Sequence, residues 1–125
     1  MFTYTRLYSN ASGESHFEDV EIDLASTDYT PSAPPLFLSD ITATNQFRFM
    51  KAPAGWTSDW HISSARTMFF VLSGEWEVTA SNGESRRFSA GSVLLVEDTS
   101  GKGHRSRVTS KEDSLAAMVE LTSTT

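Results

Sequence analysis

Cysteine is absent from the 125 residues, which excludes disulfide staples, thiolate metal sites and thiol nucleophiles. Basic residues are scarce: ten Lys and Arg stand against sixteen Asp and Glu, for a net charge of −6. Nucleic acid as a partner needs a Lys/Arg surface against the phosphates, and this chain does not supply one. Its single tight cluster, Lys102, His104, Arg105 and Arg107, is short, and a solvated strand face accounts for the arginines. Long apolar runs are missing as well. "MFFVL" and "VLLV" fall far below the length of a membrane helix. The opening "MFTYTRLYSNASGESHFEDVE" has no signal-peptide core. These absences lead to the expectation of a soluble, cytoplasmic protein with neither nucleic acid nor membrane as partner. The length and the 38% apolar fraction suit one globular domain over residues 1–125.

What is present is strand signal. "FEDVEIDL" (17–24) carries Phe17, Val20, Ile22 and Leu24 as a half-buried strand. "TPSAPP" (30–35) cannot hold a ladder, because its prolines lack N–H donors. "LFLSDI" and "QFRFM" read as short strands, the latter with Phe47 and Phe49 on one face. "DWHIS", "TMFFVLSG", "EWEVTASNG", "ESRRFSAG", "SVLLVED" and "HRSRVTS" follow, and "SLAAMVEL" closes the series as a last strand. Glycines punctuate them, and Asn82-Gly83 is a strong hairpin signal because both residues tolerate positive φ. Many short strands with regular turns and no convincing helix predict an antiparallel barrel or double-sheet jelly roll. The first dozen residues and the tail "TSTT" are expected to be loosely held.

Residues 55–108 resemble the cupin superfamily, a small jelly-roll barrel. The family's first motif spaces Gly, His, His, Glu and Gly along one strand and hairpin. Here Gly55, His61 and Gly74 keep that spacing, while Ser63 stands at the second His and Thr67 at the Glu. The second motif runs from Gly83 through "ESRRFSAG" to Gly91 and along "SVLLVED", and its His is best matched by His104 after the loop "TSGKG". "SAG" replaces the usual Pro-x-Gly, and no Asn follows His104 where the family has one. The segment also resembles small single-domain bacterial cupins that carry a "DTxGKGH" loop. The resemblance implies an all-β cupin-like jelly-roll barrel (a double-stranded β-helix) with a core barrel over about 36–122 and an N-terminal strand segment over 14–35. Small cupins are often homodimers, and a homodimer is expected here, with the N-terminal segment wrapping or swapping onto a partner to cover Phe17, Val20 and Ile22.

Period-two alternation assigns faces without the family. With His61 inward, Asp59 and Ser63 share its side and Trp60 and Ile62 oppose it. Counting on from Thr67 adds Phe69 and Val71. With His104 inward, Ser106 and Val108 follow it and Arg105 and Arg107 face water. Trp76 and Val78 make a further apolar wall. Such a cavity, mostly apolar with a few polar groups, suits a small organic ligand. Ser63, Thr67, Phe69, Val71, Trp76, Arg48, Asp59 and Ser106 are its candidate binding residues.

Three chemistries remain open. No cofactor is predicted, since a typical cupin metal site has three His and one carboxylate, and the mapped positions keep only His61 and His104. Hydroxyls are poor ligands for divalent transition metals. A metal-dependent cupin enzyme such as a dioxygenase would use those two histidines with Asp59, Asp98 or His16 as a third ligand; His16 otherwise reads as an exposed strand residue. The leading expectation is metal-independent acid–base chemistry of the lyase, isomerase or cyclase type. His61 would be the general base, favoured in its charged form by Asp59, and His104 the acid or second base. Ser63 and Thr67 would stabilise a developing oxyanion. The third reading is a binding or regulatory cupin without catalysis. Glu97 and Asp98 read as turn formers before a Gly-rich loop, or else Asp98 anchors that loop and aims His104. Arg48 reads as a solvated strand residue or as the anchor for a substrate carboxylate. Trp56 and Trp60 cap the barrel mouth or pack between subunits.

Overall fold

Alternation along the chain becomes eleven strands in the structure, a computed structural model that describes residues 2–122. β1 (Phe2–Ser9) and β2 (Ser15–Ile22) form an N-terminal hairpin, and β3 (Ala25–Thr27) pairs with β4 (Leu36–Leu38). β5 (Thr44–Ala52), β6 (Thr67–Ser73), β7 (Glu75–Ala80) and β8 (Ser85–Ser89) come next. β9 (Val93–Val96), β10 (His104–Val108) and β11 (Ser114–Leu121) complete the series. No helix occurs among the described residues, and so none is long and apolar enough to cross a membrane.

A six-stranded sheet in the order β2-β1-β9-β6-β11-β5 faces a three-stranded sheet, β10-β7-β8. β7 shows why these residues form a strand with one dry side. Trp76, Val78 and Ala80 are buried, while Glu75 and Glu77 point out to meet Arg87 and Arg107. Its hairpin to β8 turns at Asn82-Gly83: Gly83 has φ +96° and the Asn82 side chain accepts from the Glu84 N–H at 3.0 Å. Leu7, Phe17 and Leu94 from the large sheet meet Val78, Phe88 and Val108 from the small one. Each such side chain contributes about 1.5–3 kcal/mol on burial. The sheets are joined by side-chain packing rather than by a continuous ladder, and two isolated bridges tie β10 to the segment between β5 and β6.

The N-terminus departs from expectation. Its first strand is not loosely held: β1 runs parallel to β9, pairing Thr5 with Leu94 and Leu7 with Val96, and Leu7 is fully buried. Nor does Phe17 wait for another subunit, because Phe88 packs on it at 6.2 Å and the Arg86 guanidinium lies over its ring. The uncovered apolar surface lies instead on edge strand β5, where Phe47 and Phe49 are 68% and 65% exposed.

Glu97, at the end of β9, ties these layers together. It takes Arg6 of β1 on one oxygen and Arg66, just before β6, at 2.8 Å on the other. Burial by itself works against its charge, but hydrogen bonds and charge from Arg6 and Arg66 outweigh it and hold the carboxyl below its ordinary range. A lowered folded-state value means stability is present above the unfolded value of 4.5 and is lost as pH falls through the lower folded one. Glu97→Gln is therefore expected to cost ~1–3 kcal/mol at neutral pH. It should also flatten the acid limb of the stability curve, read by urea denaturation across a pH series. An unchanged acid limb in the variant would contradict this role.

Candidate functional site

Between β5 and β6 the chain runs back along β10 as an irregular strand. The Val108 N–H donates to the Trp56 carbonyl at 2.8 Å, and Ser58 N–H donates to the Ser106 carbonyl at 2.9 Å. His61 and His104 then exchange two backbone hydrogen bonds of 2.9 Å. Three residues on one side of this seam, from Ser58 to His61, span two on the other, from Ser106 to His104. The extra residue is a bulge, and a bulge re-aims the side chains beyond it. It explains why "DWHIS" is no regular strand and why Asp59 does not share the His61 face. Asp59 is exposed, accepts from the Trp60 N–H at 2.8 Å and lines no part of the cavity. Trp60 faces out beneath the Arg105 guanidinium.

The seam brings His61 and His104 to one cavity, their ring centroids 4.5 Å apart and their planes at 57°. His104 is 7% exposed, and its Nδ1 lies 2.5 Å from Oδ2 of Asp98, which is fully buried. Asp98 is thus an anchor and not a turn former. Its other oxygen, Oδ1, is buried and accepts no hydrogen bond from another side chain or backbone N–H among the described residues. His61 is exposed, and its Nδ1 donates to the Asp59 carbonyl at 2.8 Å. A carbonyl only accepts, so Nδ1 of His61 carries the proton, and the Asp98 carboxylate selects the same tautomer in His104. Both rings therefore offer the lone pair of Nε2.

The cavity holds about 210 Å³. Of the residues expected there, Ser63, Thr67, Phe69, Trp76 and Ser106 line it, while Val71 sits in the core beside it. Trp56, Phe69 and Trp76 form an aromatic corner, with centroids 5.5–5.6 Å apart across Trp76. The Trp76 indole donates to Ser114 at 2.7 Å. Arg48 lines an adjoining pocket of about 160 Å³ that shares Ser64, Thr67 and Met118 with the cavity. Met50, Leu94, Val96 and Met118 complete the apolar wall. Sequence reasoning missed these four; alternation along β5 for Met50, β9 for Leu94 and Val96, and β11 for Met118 was the available signal.

The hydroxyls are committed differently from expectation. Ser63 donates to the Ala65 carbonyl at 2.6 Å and Thr67 donates to the same oxygen at 3.0 Å. Each keeps lone pairs for a ligand but has no free proton for an oxyanion. Metal donors are equally limited. His16 belongs to another part of the surface, stacked on Tyr8 with its ring nitrogens 2.9 and 3.1 Å from Asn10 and Asn82. Asp98 stands behind His104 and Asp59 faces away. Among the described residues no three His, Cys, Asp or Glu side chains converge as a metal site. Two imidazoles without an anionic ligand do not fit a firmly held divalent transition metal.

Gly103 makes the seam possible. It has φ +75°, and a Cβ there would collide with the His61 carbonyl group. Gly83, at φ +96°, has open space around it. Gly83→Ala should cost the left-handed backbone penalty alone, about 1–2 kcal/mol. Gly103→Ala should cost at least ~3 kcal/mol, because backbone must move as well. Equal losses for the two variants in urea denaturation would mean that the His61–Gly103 contact is not tight.

A cupin-domain family profile matches residues 48–120, more than half of the chain. No curated relative matches it. Among solved structures the chain is similar to protein NMB1881 from Neisseria meningitidis, at 22% identity and TM-score 0.45 over 61% of this chain and 72% of that one. It is also similar to a cupin-2 domain protein from Shewanella frigidimarina, at 19% identity and TM-score 0.44 over 62% and 70%. The Schizosaccharomyces pombe Cnp3 cupin domain matches at 18% identity and TM-score 0.43 over 97% and 83%. The match over residues 48–120, which spans the His61–His104 seam, makes this chain a member of the cupin family.

Proposed function

We propose that the cavity carries out metal-independent proton transfer on a small organic molecule, in an isomerase or lyase type of reaction. The observation that carries this reading is the buried Asp98–His104 pair, set 4.5 Å from a second, water-facing imidazole. His104 is the better placed of the two to take a proton, the reverse of the sequence-based assignment. Its ring is buried, its tautomer is selected by a carboxylate, and Asp98 balances the charge that arrives with the proton. His104 Nε2 takes a proton from a carbon next to a carbonyl, and the C–H electron pair moves into the enolate. His61, open to water, takes a proton on Nε2 from solvent and returns it at the enolate oxygen or at the carbon that lost its proton, and His104 then releases its proton to solvent. Where the next carbon bears a leaving group, the enolate electron pair expels it instead and His61 protonates it.

Hydrogen isotope exchange tests this across a panel of simple compounds. Carbon acids bearing a carbonyl are incubated in D₂O and loss of the α-proton signal is followed by NMR. Wild type should accelerate exchange for at least one of them. His104→Ala should slow that exchange by ~10²–10⁴-fold, and Asp98→Asn should slow it less. Exchange that survives the His61→Ala/His104→Ala double variant would overturn the proposal. So would elemental analysis finding a stoichiometric transition metal that His61→Ala loses, since that outcome belongs to a metal-dependent enzyme. Saturable binding without exchange would leave a binding-only cupin.

A further inference from the structure

We infer that the ligand of this cavity is a small monocarboxylate, with its apolar body against the aromatic corner and its anionic end on Arg48. The inference rests on the reading of the cavity as a ligand site and adds the ligand's charge and size.

Arg48 is placed by the pleat of β5. Met50 lines the main cavity, and strand alternation puts Gln46 and Arg48 on its side, with Phe47 and Phe49 on the other; Gln46, Phe47 and Arg48 all border the adjoining pocket. Arg48 is opposite Met118 in the ladder with β11, and Met118 lines both spaces. Arg48 therefore borders a space that meets the histidine cavity at Ser64, Thr67 and Met118.

Arg48 is also uncommitted. Seven of the ten Lys and Arg side chains lie within 4.0 Å of a carboxylate among the described residues. Of the remaining three, Arg105 lies over Trp60 on the outer surface and Lys111 occupies an exposed turn. That leaves, among the described residues, one unpaired cation beside an apolar cavity, in a chain of net charge −6. A guanidinium presents a planar fork that matches a carboxylate in two parallel hydrogen bonds. Glu120 lines the same pocket and holds Asn45 at 3.2 Å instead of Arg48. Its charge opposes a second negative group, so a monoanion fits better than a phosphate ester or a diacid.

Size follows from volume. A dry cavity of about 150 Å³ accepts a benzene ring, so about 210 Å³ holds one ring with a short side arm. The edge-on contacts of Trp56 and Phe69 with Trp76 leave a corner suited to a flat body.

Phenylacetate and its uncharged isostere 2-phenylacetamide separate charge from shape. Titration of the full chain with each, followed by fluorescence of the cavity tryptophans, should show phenylacetate about 1.5- to fivefold tighter at low salt. The difference should narrow at high salt, because Arg48 is exposed. Arg48→Gln should erase the difference by weakening phenylacetate more than the amide, Arg48→Lys should keep part of it, and Glu120→Gln should widen it. Equal affinities in wild type, a preference that survives Arg48→Gln, or no binding of either probe would each overturn the inference. The proton-transfer reading fails separately. A carboxylate preference together with isotope exchange indifferent to His104→Ala sinks that reading alone and leaves the monocarboxylate site standing.

Discussion

A buried carboxylate with one oxygen on a buried imidazole is the constraint around which the site is organised. Asp98 lies two residues past β9 and His104 begins β10, so the five residues between them must return the chain within one hydrogen bond's reach. That return is tight enough to press Gly103 against the His61 backbone. The seam between His61 and His104 is thus a consequence of the same short loop that buries Asp98. Removing the carboxylate would leave the buried His104 Nδ1–H without its partner.

The loop does not hold this shape alone. Ser9 donates to the Ser100 carbonyl at 2.6 Å, Lys102 N–H donates to the Gly13 carbonyl at 2.8 Å, and buried Ser15 donates to the Gly103 carbonyl at 2.7 Å. All three contacts come from the turn that joins β1 to β2. The N-terminal hairpin therefore clamps the loop that carries the second histidine, while Arg6 from the same hairpin holds Glu97 beside Asp98. Two consecutive acids at the end of β9 divide the work: one fastens the sheet and the other aims a ring. The hairpin's parallel pairing with β9 carries both.

Much of this was legible in the sequence, and the illegible parts share a cause. Alternation placed Trp76 and Val78 inward on β7, and it placed Ser106 and Val108 inward with Arg105 and Arg107 outward on β10, because those strands are regular. The hairpin at Asn82-Gly83 declared itself through local turn chemistry. Alternation failed at Asp59 because one inserted residue reverses every parity beyond it, and nothing in "SDWHI" marks a bulge. The order of β1 was hidden because its parallel pairing with β9 joins Thr5 to Leu94, residues remote in the chain, and composition carries no sign of it. Asp98 resembled a turn former because its burial depends on the N-terminal clamp, which is again remote. Local chemistry could be read from the residues; register and long-range closure could not.

The replaced positions show what the cavity gains from its hydroxyls. At Ser63 and Thr67 the family pattern has a His and a Glu, and here both side chains give their protons to one carbonyl, Ala65. That end of the cavity is consequently neutral and rich in acceptors, and it contributes no negative charge to offset a divalent cation. The nearest buried anion, Asp98, is already balanced against His104. The lining charge that remains sits at the adjoining pocket, where Arg48 and Glu120 face the mouth. On the monocarboxylate reading, imidazole nitrogens at one end, a guanidinium at the other and an apolar middle would orient an amphipathic anion along the site. To a metal ion the main cavity offers, among the described residues, two imidazoles and no carboxylate. On that reading the hydroxyl at Thr67 and the unpaired Arg48 are two aspects of one electrostatic arrangement, in which the ligand supplies the negative charge that the lining of the main cavity lacks.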